Sequence, residues 1–251
     1  MADALYDDNP RLYDAIQSDW EYDRDVAFVR EVVSRHLDRR VAQATLERED
    51  PVRLLEVGCG TAEHTWRLSE AGFAVVGVDP AEGMRSLARG KCPPEVDLRP
   101  GSLPALDPLG DDERFDVAVA IRGVVNHLAP ETLGPAIDAF ADHLVDGGVL
   151  IFDNSPLPPD GNDPALDVGE TDGGDRYARV ARMRPRADGR LDWCEATFTA
   201  DDAWVNVRPM TPFSDERIRT ALVDRGFAVE TRDGYGPEDR RTVFVAVAGG
   251  R

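Results

Sequence analysis

Apolar positions along the chain fall into short blocks that switch between strand-like runs and a helical spacing of three to four. From Tyr22 to Leu46 the spacing is helical, with Val26, Val29, Val33 and Leu37 on one face and Phe28, Val32 and Val41 widening it. The block Arg53 to Val57 reads as a buried strand that breaks at Gly58, and a helical pattern runs from about Thr61 to Glu70. The alternation then repeats: a strand from Phe73 to Asp79, a helix from Ala81 to Arg89, a short strand from Val96 to Arg99 and a central strand from Phe115 to Ile121. A helix from Glu131 to Leu144 and a strand from Val149 to Phe152 follow. Strands alternating with helices predict a doubly wound α/β sheet.

Residues 154 to 175 are rich in Pro, Gly and Asp and read as a loop. Beyond it Tyr177 to Met183 alternates with period two, Asp188-Gly189 marks a turn, and Leu191 to Phe198 and Ala203 to Val207 supply further strands. These predict a small antiparallel β insert. Ser214 is placed to cap a helix to about Arg225, and Ala228 to Thr231 with Thr242 to Val247 close the main sheet. The expected organisation is an N-terminal helical cap over residues 1–46, a core domain over 47–153 and 213–251, and the insert over 154–212.

Charge narrows the choice of partners. The chain has 251 residues, 48 acids against 29 bases and a formal net charge of −19, and Lys91 is its one lysine. A genome biased toward Arg, Asp and Ala would give such a composition, but the size of the charge favours adaptation to a saline cytoplasm, where an acidic surface stays solvated. Nucleic-acid binding is not expected, because no basic run stands out to neutralise phosphates. Cys59, Cys92 and Cys194 are odd in number and far apart, which predicts neither a disulfide framework nor a metal site and fits a reducing cytosol. No leader-like or membrane-length apolar segment is seen, so a cytoplasmic protein without membrane contact is expected.

The stretch Leu54-Leu55-Glu56-Val57-Gly58-Cys59-Gly60-Thr61-Ala62-Glu63-His64 carries the chemistry. A strand, a glycine turn and a helix start form a nucleotide-binding geometry, in which glycines admit a ligand close to the backbone and the helix offers free N–H groups. A dinucleotide site would need a third glycine where Glu63 stands. Glu56 and Glu63 flanking the turn would repel a pyrophosphate but suit a ligand carrying an ammonium and a sulfonium. Asp79, twenty-one residues after Gly58, is placed for ribose hydroxyls.

This pattern, E-V-G-C-G-T-A-E-H-T followed by G-V-D-P-A-E-G-M, resembles the class I S-adenosylmethionine-dependent methyltransferases. The resemblance implies a seven-stranded Rossmann-like sheet and S-adenosylmethionine as cofactor. It assigns to the cofactor Glu56, Gly58, Cys59, Gly60, Thr61, Ala62 and His64 of the loop, Asp79 and Pro80, Met84, Ser102 and Leu103, Ile121 and Arg122, with Tyr13 and Tyr22 from the cap. Two positions depart from the family: Ala62 replaces a usual glycine, and Ser102 stands where an aspartate often reads the adenine amino group. Tyr13, Trp20 and Tyr22 either pin the cap helix to the sheet or touch the ligand.

From about Tyr13 to Val247 the chain further resembles the sugar N,N-dimethyltransferases of deoxyaminosugar biosynthesis, carried by Tyr13-Asp14, the loop, Gly147 to Phe152 and Phe213-Ser214. It departs from that branch at Arg122, Gly123 and Val124 and at Asn126-His127. The implied activity is methyl transfer to a small polar acceptor, an amine nitrogen ahead of an oxygen, by a monomer or homodimer. A protein that binds the cofactor without turnover is the alternative.

Methyl transfer is in-line displacement at a sulfonium, so catalysis is mainly positioning, and an amine must also lose a proton. His127 follows the fourth strand, and imidazole has an ordinary pKa of about 6.5. It is read as the base, against the alternative that Asn126-His127 only starts a helix. The imidazoles of His64, His36 and His143 are read as structural. Arg122 either binds a carboxylate or lies on the surface facing the acidic loop from Asp107 to Glu113.

Overall fold

A computed structural model describes residues 4–37 and 51–249. One π-helical turn, Ala4–Asp8, leads into α1 (Pro10–Ile16) and α2 (Tyr22–His36). The stretch from 38 to 46, over which the cap helix was expected to continue, lies outside the described residues.

The core then alternates as the sequence pattern predicts. β1 (Arg53–Val57), α3 (Glu63–Glu70), β2 (Ala74–Asp79), α4 (Glu82–Arg89), β3 (Asp97–Pro100) and β4 (Phe115–Ala120) come first. After tight turns at Val124–His127 and Pro130–Thr132 come α5 (Leu133–His143) and β5 (Leu144–Asn154). The chain closes through α6 (Asp215–Val223), β10 (Phe227–Asp233) and β11 (Thr242–Ala248). The order across the seven-stranded sheet is β10-β11-β5-β4-β1-β2-β3, with β11 antiparallel to both neighbours and the remaining pairs parallel.

Alternation along each strand divides the core between two faces. Leu55, Leu150, Phe152, Phe244 and Ala246 pack with Ile137 and Phe140 of α5 and Ile218 and Leu222 of α6. Their neighbours Leu54, Val149, Ile151, Val243 and Val245 pack with Val26, Val29 and Val33 of α2 and Leu68 of α3. The cap helix α2 is therefore a structural layer of the sheet. Ser214 caps α6, its Oγ accepting from the Arg217 N–H at 3.3 Å.

Two expectations are corrected. The strand expected to start at Val149 follows the helix without a gap, because β5 begins at Leu144 and runs through Asp146-Gly147-Gly148. Its register to β4 jumps between Phe115 and Val117, and Gly147 takes φ +76°, so the glycines absorb a bulge. The Pro/Gly/Asp-rich segment is not all loop. It contains β6 (Ala165–Glu170), which pairs with β7 (Arg176–Pro185) ahead of β8 (Leu191–Phe198) and β9 (Ala203–Met210) in a four-stranded antiparallel sheet.

Candidate active site

The strand order reverses between β1 and β4, and the crevice beyond the carboxyl ends of those strands is where an open α/β sheet binds ligands. A cleft of about 300 Å³ opens there. Its floor is the glycine loop, tied to β2 by the Gly58 and Cys59 N–H groups donating to the Val78 carbonyl at 2.7 and 3.1 Å. Gly58 has φ +75°, and a Cβ there would lie 2.6 Å from a Val124 methyl. At Gly60, also left-handed, a Cβ would meet nothing within 4 Å. The family preference for glycine at position 62 has a local cause as well, since Ala62 sits at φ +70°, a conformation that disfavours side chains by about 1–2 kcal/mol.

Asp79 ends β2 on one wall. Its carboxylate accepts from the Gly60 and Ala81 N–H groups, both at 2.9 Å, while burial pushes its pKa up against those bonds. Each oxygen keeps a further lone pair for a ligand. Pro80, Met84, Ser102, Leu103 and Ile121 line the same cleft.

Neither acid flanking the loop stands free toward the cleft. Glu56 is buried behind the loop and does not line the cleft. Burial pushes its pKa up to about 7, with the Asp79 charge adding to the rise and a hydrogen bond from Thr65 Oγ1 at 2.5 Å opposing it. Glu63 does line the cleft, but its carboxylate binds Lys91 Nζ and Arg67 Nη1, each at 2.6 Å. Burial would raise it, and the two cations hold it below the usual range. Lys91 also reaches Asp14 at 2.5 Å, and Thr61 Oγ1 donates to the same carboxylate, so the lone lysine ties α1 to the loop. Ala62, fully buried, also lies behind the cleft.

His64 lines the cleft, yet its imidazole belongs to a buried network. Nε2 lies 3.1 Å from Asp25 Oδ2 and Nδ1 lies 3.9 Å from Glu56 Oε1. Burial lowers its pKa, although Asp25 pulls the other way. Asp25 also accepts from Trp20 Nε1 at 2.7 Å and from Arg24. The two readings of the aromatic trio therefore divide. Tyr13 and Tyr22 line the cleft, whereas Trp20 pins the cap, held between the Arg122 and Arg241 guanidinium groups at 4.5 and 4.2 Å.

Arg122 does not face the acidic loop. It lines the cleft with Nη1 donating to Tyr22 Oη at 3.1 Å and Nη2 to Gln17 Oε1. Its backbone, at φ +71°, is held by buried Asp153, which accepts from the N–H groups of Arg122 at 2.5 Å and Gly123 at 2.6 Å. Burial pushes the Tyr22 hydroxyl up to about 12, so it stays a neutral partner for Arg122.

His127 ends the tight turn after β4, exposed at the rim of the same cleft. Its neighbour Asn126 is fully buried. The Asn126 amide donates to Asn154 Oδ1 at 2.9 Å and the Thr211 carbonyl at 3.0 Å, and accepts from the Ser155 N–H at 3.0 Å. Asn126 fastens the turn to β5 and to the end of the insert, and so presents His127. His36 lies 3.1 Å from Glu230, and His143 Nδ1 lies 3.0 Å from the Glu113 carbonyl, both away from the cleft. The cleft also includes Tyr6, Val57, Gly101 and Leu128, to which the sequence pattern gives no site role. Tyr6-Asp7 repeats the Tyr13-Asp14 pair, which was the available sign for Tyr6. Among the described residues no helix is long and apolar enough to cross a membrane.

A methyltransferase-domain family model matches residues 54–148. A dTDP-3-amino-3,4,6-trideoxy-alpha-D-glucopyranose N,N-dimethyltransferase of Streptomyces venezuelae is 30% identical over 77% of this chain and 82% of its own length. A tRNA U34 carboxymethyltransferase of Shewanella amazonensis is 28% identical over 92% of this chain, which spans 66% of that longer relative. The solved structure of an amino pentose methyltransferase from Micromonospora echinaspora, with S-adenosylmethionine bound, is 27% identical, has a TM-score of 0.67 and is covered over 92% of both chains.

Proposed function

We propose that this chain, which belongs to the class I S-adenosylmethionine-dependent methyltransferases, methylates an amine nitrogen of a small polar acceptor. The observation that carries the reading is the placement of His127 at the rim of the cleft whose floor is the glycine loop and whose wall is Asp79. The similarity to an N,N-dimethyltransferase supports a nitrogen acceptor.

The residues present fit the cofactor. The open left-handed backbone at Gly60 leaves room above the loop, Asp79 has free lone pairs for ribose hydroxyls, and Met84 and Leu103 offer apolar surface for an adenine, with Ser102 as a hydrogen-bonding partner. When bound, S-adenosylmethionine supplies an electrophilic methyl group. The loop and the β4 end would orient the reactants, worth about 7–11 kcal/mol when alignment is good. Tyr13, Tyr22 and Arg122 of the cap side would exclude water. An imidazole nitrogen of His127 would accept a proton from the acceptor's ammonium, which frees the amine lone pair for attack on the methyl group.

Replacement of His127 by Asn or Ala tests this assignment. Turnover should fall by about 10²–10⁴ while cofactor affinity measured by calorimetry stays unchanged. Full turnover in both variants would refute it and leave catalysis to proximity alone.

The tRNA-modifying relative favours a second reading, a nucleic-acid acceptor. The charge of −19 opposes it, because phosphate binding needs clustered cations. Methylation of small amines with no transfer to tRNA would separate the two. The same charge supports a saline cytoplasm as the working environment.

A further inference from the structure

The inward face of the insert carries a buried carboxylate with two cations on it. Glu195 binds Arg179 at 3.0 Å and Arg208 at 2.7 Å, and accepts from the Asn206 amide at 3.3 Å. Strand register sets this up. Asn206 lies opposite Glu195 and Arg208 opposite Trp193, so Glu195 and Arg208 share one face as a diagonal pair. Held by that ion pair, the Arg208 guanidinium lies 4.3 Å from the centre of the Tyr6 ring. Tyr6 in turn meets Tyr13 edge to face with centroids 5.7 Å apart, and both rings line the cleft.

The π-helical turn Ala4–Asp8 and the seven-residue α1 are too short to keep a helical shape alone, so what they pack against sets their position. On one side the turn rests on the backbone of α4, since a Cβ at Gly83 would lie 2.0 Å from the Asp7 carbonyl oxygen. On the other side Leu5 and Leu12 pack with Tyr177 of β7, and Arg208 of β9 covers Tyr6. We infer, resting on the reading of the cleft as the S-adenosylmethionine site, that Arg208 is a positioning residue for that site. Stacked on Tyr6, it holds residues 4–17 closed over the cleft, and the insert thereby slows release of the cofactor.

Two features set this stack apart from a surface contact. Arg208 is 9% exposed, so its charge meets the ring without the water that weakens such contacts at open sites. Its direction is also fixed. One Glu195 oxygen takes Arg208 and Asn206 and the other takes Arg179, which leaves the carboxylate no freedom to swing away. A planar guanidinium can donate to Glu195 while its flat face lies on the ring, a geometry that an ammonium cannot reproduce. The segment has a separate fastening on the core domain, where Lys91 binds Asp14. Lifting it from the cleft therefore breaks an ion pair to the core domain and a stack to the insert.

Hydrogen exchange over residues 4–17 of the cofactor-free full chain, together with calorimetry on S-adenosylmethionine, tests the inference. Arg208→Met and Tyr6→Leu should each speed exchange of that segment by at least about threefold. Each should also weaken binding by about 3- to 30-fold, the span of a cation–π contact from exposed to desolvated sites. The double variant should bind no more weakly than the weaker single one, because both changes remove the same contact. Arg179→Met takes the other guanidinium off Glu195 and leaves the stack in place, so it should exchange and bind as the wild type does. Wild-type behaviour of Arg208→Met overturns the inference. So do effects that multiply in the double variant, or an Arg179→Met protein that matches Arg208→Met. A wild type that binds no S-adenosylmethionine would instead remove the cofactor reading, and exchange over residues 4–17 would still decide for or against the clamp.

Discussion

Replacing Glu56 with Gln should stabilise the protein at alkaline pH and change little in acid. Glu56 sits behind the cofactor loop, with Thr65 Oγ1 donating to one oxygen and the other 3.9 Å from His64 Nδ1. Burial, and then the Asp79 charge, lift its pKa from 4.5 to about 7. Between those values the folded chain holds a proton that the unfolded chain has released. The stability this proton supplies is fully present below 4.5 and is lost as pH rises through about 7. At about 1.4 kcal/mol for each tenfold in proton affinity, the interval corresponds to about 3 kcal/mol.

Gln mimics the protonated carboxyl and can accept the same Thr65 hydrogen bond, so it should escape that loss. His64 and Asp25 titrate in both proteins, and their effects run the other way. Burial lowers the His64 pKa, and the His64, Trp20 and Arg24 partners lower that of Asp25 despite its burial, so both contribute stability that is lost in acid. The difference between variant and wild type, rather than either profile alone, isolates Glu56. Urea denaturation followed by tryptophan fluorescence should therefore give a difference that moves by about 3 kcal/mol in favour of Gln between pH 4.5 and 8. A difference that is flat with pH, or that turns against Gln in alkali, would refute a neutral Glu56 in the folded state.

Two further outcomes follow from the site and the surface. Asp79→Ala removes the acceptor proposed for the ribose hydroxyls, charge-assisted bonds worth about 1.5–3 kcal/mol each. Calorimetry should show S-adenosylmethionine binding weakened by at least about tenfold, and unchanged affinity would remove the ribose role. If the −19 charge reflects salt adaptation, the thermal midpoint should rise between about 0.1 and 1 M potassium chloride, where the Debye length falls from about 10 to 3 Å. A flat or falling midpoint would reject that reading.

Much of the architecture is a local property of the chain and was legible in the sequence. Period-two strands, helical spacing and Gly58 with Gly60 between them dictate the strand-loop-helix unit, because left-handed backbone and pleat alternation depend on residues close in sequence. Asp79, at the end of the next strand, follows from the same spacing. β6 escaped because Pro, Gly and Asp surround it and its apolar residues face outward, so only pairing with β7 makes it a strand.

The roles of charged side chains depended on tertiary structure. Glu56 looks like an anion available to a cationic ligand until the fold buries it against Asp79 and makes ionisation costly. Arg122 has equivalent readings in sequence, and partners 100 and 105 residues away, Tyr22 and Gln17, turn it into the cleft. The insert shows the same division on a larger scale. Alternation predicts that its strands have two unlike faces, but which face turns inward was settled by the ion pairs of Glu195 with Arg179 and Arg208. Pattern is carried by neighbours in sequence, whereas burial and electrostatics are set by neighbours in space.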